Sequence, residues 1–260
     1  MSSESGWRVF LGAILLLVVS YLIYLLRYPL WSAFRFVEQI FVMLIVSYFV
    51  VLVIALFLLK KDSKKTLSAV FKYDVSTIIA GIFFALLYLG LWYLISFLLG
   101  SKFEFTSSTI LRDYGAYSFY SLPLAFTLYF VFSVFGAFAE EVAYRGYVQT
   151  RISARYGYIV GILVSALFFS LQHIHVFQTG WLIQFFQTQF FHVFLFGIFV
   201  GYLFFKSKEN IWSVFSMHAL INAYSVSVPI VIIATFPFAN QLAEIVSSIV
   251  MILLLRLSKL

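Results

Sequence analysis

Two adjacent carboxylates, Glu140 and Glu141, and an arginine four residues on, Arg145, stand at the inner end of a long apolar run that begins near Ser121. A charged side chain at the centre of a membrane helix costs about 2.5–3.5 kcal/mol on insertion scales, so three so close together point to a task. Glu141 and Arg145 are at i and i+4, share a helical face and can pair. Glu140 lies about 100° round the helix from Glu141 and cannot join that pair squarely. A carboxylate left over in this way can act as a base toward water. The bland alternative is a helix end reaching the membrane interface with Arg145 snorkelling. It explains Glu141 and leaves Glu140 unexplained.

Two further groups can work with these carboxylates. The first is Phe169-Ser170-Leu171-Gln172-His173. Glu140 lies before the turn near Tyr156 by nearly as many residues as His173 lies after it. At the helical rise both are about 24–26 Å from the turn, so an antiparallel hairpin brings them level, where a carboxylate and an imidazole can share a water. The second is Met217-His218-Ala219-Leu220-Ile221-Asn222. His218 and Asn222 project from one helical face, and both side chains can donate hydrogen bonds. Two donors aimed at one point are what a developing oxyanion requires. Taken singly, each group also fits a plain hydrogen bond between helices. His175 reads as interfacial and His192 as a packing residue.

Glu140, His173 and His218 could alternatively supply three zinc ligands with an open fourth position. The compact His-Glu-x-x-His helix of zinc proteases is absent. The expectation is therefore no cofactor, with zinc as the alternative.

These residues must be positioned by apolar elements. The chain of 260 residues is 63% hydrophobic and 10% charged, against roughly 25% charged residues in soluble domains. Lipid must be the solvent for much of it. The pattern predicts an all-α polytopic membrane protein, a single domain over 1–260, with about eight transmembrane helices enclosing a polar cavity. The expected spans, each near the 20 residues a crossing needs, are Val9 to Leu26, Phe36 to Leu59, Ser76 to Leu99, Ser121 to about Arg151, Tyr158 to about His173, Phe185 to Phe205, Ile211 to about Ile233 (softened by Pro229) and Gln241 to Leu255. Val9 to Leu26 reads as a retained anchor, since no small-x-small cleavage site precedes Arg27. Gly100 to Tyr120 reads as a polar and aromatic loop, and Arg155-Tyr156-Gly157 as a turn. Gly157/Gly161 and Gly197/Gly201, spaced by four, read as close-packing pairs.

Orientation follows from Lys and Arg. With the basic run at Lys60 to Lys65 placed in the cytoplasm, 13 of the 17 Lys and Arg fall on that side. Only Arg27, Arg35, Lys102 and Arg112 fall on the other. Both termini are then cytoplasmic. The net charge of +7 belongs to the loops and does not argue for nucleic acid. No Cys is present, which rules out a disulfide framework, a thiolate nucleophile and a Cys-based metal site.

In this order, Glu-Glu-x-x-x-Arg at Glu140, Glu141 and Arg145, Phe-x-x-x-His at Phe169 and His173, and His-x-x-x-Asn at His218 and Asn222 resemble the motifs of the CAAX protease and bacteriocin-processing family of intramembrane proteases. The layout is most similar to archaeal CAAX prenyl proteases of the Ras-converting type. The motif-bearing part spans 121–227. The resemblance implies an endopeptidase of the prokaryotic cell membrane that acts near the C-terminus of prenylated proteins or peptides. Its partners would be that substrate and membrane lipid, with a site open to the cytoplasm. In this reading Glu140 activates water, His173 orients it, and His218 and Asn222 hold the oxyanion. Glu141 and Arg145 support them, with Phe169 beside His173. Two other classes use the same residues: a transporter or channel, and a non-catalytic immunity or scaffold protein.

Overall fold

The computed structural model describes residues 6–33, 37–62, 68–105, 122–173, 183, 185–227, 230–233 and 238–258. Each of the eight expected apolar segments falls on a helix. In chain order they are α1 (Gly6–Ala33), α2 (Val37–Asp62), α3 (Val75–Leu98), α4 (Leu122–Glu141), which continues through a π-helical segment, Val142–Gln149, into α5 (Thr150–Tyr156), then α6 (Tyr158–Leu171), α7 (Phe191–Lys206), α8 (Ile211–Ser227) and α9 (Ala239–Leu257). A further π turn, Phe186–Phe190, leads into α7. Among the described residues two helices, α3 and α9, are long and apolar enough to cross a membrane.

Helix α3 shows how the sequence sets its elements. Asp74 caps its start, accepting from the backbone of Ser76 at 2.9 Å and from the Ser76 hydroxyl at 2.7 Å. At the other end Gly100, at φ 79°, occupies the left-handed position. Gly100 N–H bonds to Phe97 O and Ser101 N–H to Ser96 O, the paired bonds of a glycine-terminated helix. One face, with Phe84, Ala85 and Tyr88, is buried. On the other, Ile79, Phe83, Leu86 and Phe97 are 59–63% exposed. An apolar stripe of that length facing outward is what a helix in lipid presents.

Four expectations change. The fourth segment stays helical past Arg151 to Tyr156 and changes type at Val142. Gly157 does not pack. It has nothing within 4 Å of its Cβ position, and its φ of 89° makes it the turn residue between α5 and α6. The seventh segment ends at Ser227 instead of near Ile233, and Ile230–Ile233 forms a strand, β2. Pro229 lacks an N–H and disfavours helix in its predecessor, and the Ile-Val-Ile-Ile run after it is β-branched. The partner of β2 is β1, Lys102–Phe105, antiparallel with Lys102 opposite Ile233 and Phe105 opposite Ile230. Part of the predicted loop after Gly100 is thus a strand. The remainder, 106–121, lies outside the described residues, as do His175 and 63–67 of the basic run.

Helix α8 packs against α3 and α4, and α7 packs against α6 and α9. Small residues permit both contacts. A Cβ on Gly81 of α3 would stand 2.1 Å from the Ser213 carbonyl oxygen of α8, and one on Gly197 of α7 would stand 3.1 Å from Ala166 of α6. Of the expected packing pairs, Gly197/Gly201 makes the close approach at both members, with Gly201 set against Gln149, and Gly161 of the other pair packs on α5, where a Cβ would stand 2.9 Å from Ser153 N.

Candidate active site

The first motif lies where the helix changes type. Glu140 and Glu141 end α4, and Arg145 is inside the π segment, all of whose residues are buried. Such segments leave the ordinary i→i−4 ladder and occur often at functional sites. Their carbonyls need other donors when buried. Here the Ser165 hydroxyl donates to Tyr144 O at 2.8 Å and Thr150 Oγ1 donates to Arg145 O at 3.0 Å. The same turns reach α7. Arg145 Nη2 donates to Gly197 O at 3.3 Å and Gln149 Nε2 to Gly201 O at 2.8 Å. Two side chains four apart meet two glycine carbonyls four apart, and α7 is held in register with the carboxylate helix.

Helix α8 delivers the third motif. Asn210 caps it, with Oδ1 accepting from Trp212 N–H at 3.0 Å. Asn210 Nδ2 donates to Lys72 O at 2.8 Å, ahead of α3. Ser216 donates to Ile78 O of α3 at 3.1 Å. The start of α8 is therefore pinned at two points to the start of α3, which sets the depth of His218.

Four charged or titratable side chains then meet. Glu141 Oε1 accepts from Arg145 Nη1 at 3.2 Å and from His218 Nδ1 at 2.7 Å. His218 Nε2 faces Glu140 Oε2 at 3.8 Å. Glu140 Oε1 accepts from the Tyr48 hydroxyl of α2 at 3.3 Å. Glu141 and Arg145 are fully buried, and Glu140 and His218 nearly so. The Arg145 guanidinium also lies over the Phe169 ring, 4.4 Å from its centroid, a favourable place for a cation.

His218 thus has a bond to Glu141 that its spacing to Asn222 does not announce. Nδ1 faces a carboxylate, which accepts, so Nδ1 carries the hydrogen and Nε2 is the acceptor of the neutral ring. His173 follows similar logic. Its Nδ1 lies 2.8 Å from Phe169 O, so Nδ1–H donates and the neutral ring presents an acceptor at Nε2. Phe169 separates and aligns the two imidazoles, with His173 at 4.9 Å and His218 at 5.9 Å between ring centroids. Asn222 follows His218 by one turn on α8.

His192 is more than a packing residue. Its Nε2 lies 3.4 Å from Glu244 Oε2, tying the start of α7 to α9. Among the described residues no three His, Asp or Glu side chains are grouped to hold a metal ion. Sequence reasoning missed Tyr48 and Gln149. A tyrosine in an apolar helix, among 17 in the chain, carries no local signal of its partner.

A helical bundle with apolar outward faces holds a buried carboxylate–imidazole–guanidinium cluster, side chains of the kind that hydrolytic sites use. Residues 122–224 match the family described as Rce1-like, type II CAAX prenyl endopeptidase Rce1-like. This stretch, 103 of the 260 residues, is similar to that family. It contains every residue of the three motifs, Glu140 through Asn222. A search of curated proteins finds no match to the chain.

Proposed function

We propose that this protein is an intramembrane endopeptidase that cleaves near the C-terminus of prenylated, CAAX-type substrates, using water activated by Glu140 and His173. One observation carries the reading: within the stretch that matches the endopeptidase family, the His218 ring lies between Glu140 and Glu141, 3.8 Å from one and 2.7 Å from the other. In this mechanism Glu140 Oε2 takes a proton from water, with His173 Nε2 orienting the water. The oxygen attacks the scissile carbonyl. Negative charge on the carbonyl oxygen is met by N–H donors of Asn222 and of protonated His218. Glu140 then passes its proton to the departing amine as the C–N bond breaks. Glu141 fixes the His218 ring and its tautomer, and Arg145 fixes Glu141.

The same reading places the chain across the membrane several times, both termini and the site's opening on the cytoplasmic side. A lipid-anchored substrate then reaches the buried cluster from the bilayer.

The decisive substitution is Glu140→Gln, which keeps shape and removes the base. Loss of a positioned acid–base group typically costs about 10²–10⁴-fold, and turnover of a farnesylated peptide by the purified variant should fall in that range. Full turnover would refute Glu140 as base. Activity that survives exhaustive chelation would separate this water chemistry from a zinc-dependent one.

A further inference from the structure

Glu140 has two oxygens, and they face different helices. Oε2 is turned to His218 of α8. Oε1 meets the hydroxyl of Tyr48, which comes from α2 at 3.3 Å. A carboxylate buried on an apolar helix could rotate about its last bond, and torsions of this kind are broad. A hydroxyl donor on one oxygen limits that rotation.

The approach of Tyr48 has its own provision in α4. Gly136 sits one turn before Glu140 on the same face. A Cβ there would stand 3.1 Å from Tyr48 Cε2 and Cζ, tighter than ordinary side-chain contact. The bare glycine lets the phenol ring approach α4 closely, with its hydroxyl within reach of Glu140. Neighbouring residues on α2, Val51, Leu52 and Ala55, are buried in the core, so the helix carrying Tyr48 is held against α4 and the π segment. The ring is placed by packing, and its hydroxyl by what the ring lies on.

We propose that Tyr48 is a positioning residue for Glu140: through the gap at Gly136 its hydroxyl holds Oε1, so that Oε2 is the oxygen presented to the reacting water. This rests on the reading of Glu140 as the base. Tyr48 acts through Glu140 and has no need to touch the substrate. Its removal should therefore slow the chemical step and leave substrate binding alone.

The test uses the full-length purified protein, a farnesylated CAAX-type peptide, and four variants: Tyr48→Phe, Gly136→Ala, the pair combined, and Glu140→Gln as reference. Tyr48→Phe keeps the ring and its packing. A hydrogen bond to a charged group is lost, so kcat should fall about 10-fold or more, with KM unchanged. Gly136→Ala pushes the ring away and should lower kcat comparably. In the Tyr48→Phe background the alanine should cost little further, because the hydroxyl it displaces is already gone; coupling of this kind is what a double-mutant cycle detects. Thermal unfolding in detergent supplies the control: Tyr48→Phe should retain the midpoint of the parent.

The results separate cleanly. With Glu140→Gln inactive, a Tyr48→Phe enzyme with parental kcat overturns the positioning role and leaves the base standing. A fall in kcat with Gly136→Ala costs that simply multiply also overturns it, since glycine and hydroxyl would then act independently. A rise in KM without a fall in kcat assigns Tyr48 to substrate contact instead, against the proposal. A fully active Glu140→Gln enzyme removes the base itself, and the positioning role with it.

Discussion

Oε1 of Glu141 accepts from Arg145 at 3.2 Å and from His218 at 2.7 Å, with all three groups out of water. Its charge holds a guanidinium that has few other anchors: the Gly197 carbonyl and the face of Phe169. Glu141→Gln preserves an acceptor for His218 but leaves Arg145 as an uncompensated buried cation. Breaking a buried pair from one side costs about 3–5 kcal/mol, and unfolding of the variant in detergent should register a loss of that order. Pairing it with Arg145→Met should recover much of the stability, since apolar replacements of both partners are often neutral. Turnover should stay low in both, because the negative charge that faces the His218 ring is lost. The pair at i and i+4 was legible in the sequence, as helix geometry alone implies it. The third partner was not: His218 lies 77 positions away, and its spacing to Asn222 spoke only for a shared face. Tyr48 was invisible for the same reason.

At the scale of elements, boundaries written in capping chemistry were readable and pairings between distant segments were not. Gly157 marked the end of one helix and the start of the next because only a glycine-like φ makes that turn easily. The strand pair β1–β2 joins 102–105 to 230–233, and nothing local to either announces the other. Nor does Val142–Gln149 differ in composition from an α-helix; what widens it is its surroundings, including Ser165 and the α7 carbonyls. Deleting Ala143 should return the segment toward α-helical hydrogen bonding and rotate Gln149 relative to Glu141. Gly201 would lose its donor, and activity should be lost while circular dichroism still reports a helical protein. The cap of α3 makes a separate prediction. The Ser76 hydroxyl and N–H hold the Asp74 carboxyl below its ordinary value of 3.8. A carboxyl depressed by folding adds stability above its unfolded-state value, and that contribution fades as pH falls through the lowered one. Asp74→Ala should therefore speed amide exchange at the start of α3 near neutral pH, and its difference from the parent should shrink progressively below about pH 5.

For the whole molecule the issue is which surface meets lipid and which meets water. Composition made a bilayer necessary, and the outward stripe of α3, with Ile79, Phe83, Leu86 and Phe97 more than half exposed, is a surface for acyl chains. Among the described residues, α3 and α9 have the length and apolarity that a crossing needs. The remainder of the threading rests on the distribution of Lys and Arg, a rule about loops that can be tested directly because the chain has no cysteine. Single cysteines at Lys60, Lys208 and Leu257, all exposed in the structure, sit at ends expected in the cytoplasm. Lys102, equally exposed at the start of β1, sits at an end expected outside. A membrane-impermeant maleimide added to intact cells should label the Lys102 cysteine alone, and opening the cells should add the other three. Labelling of Lys102 and Lys60 from the same side would require α3 to turn back without crossing. Its 24 residues, at about 1.5 Å each, match the roughly 30 Å of a bilayer core with some tilt to spare, so that outcome would overturn the threading at its best-defined helix. The mechanism depends on the same result, because a site near the end of α4 meets cytoplasmic substrate only if α3 carries the chain outward before α4 brings it back.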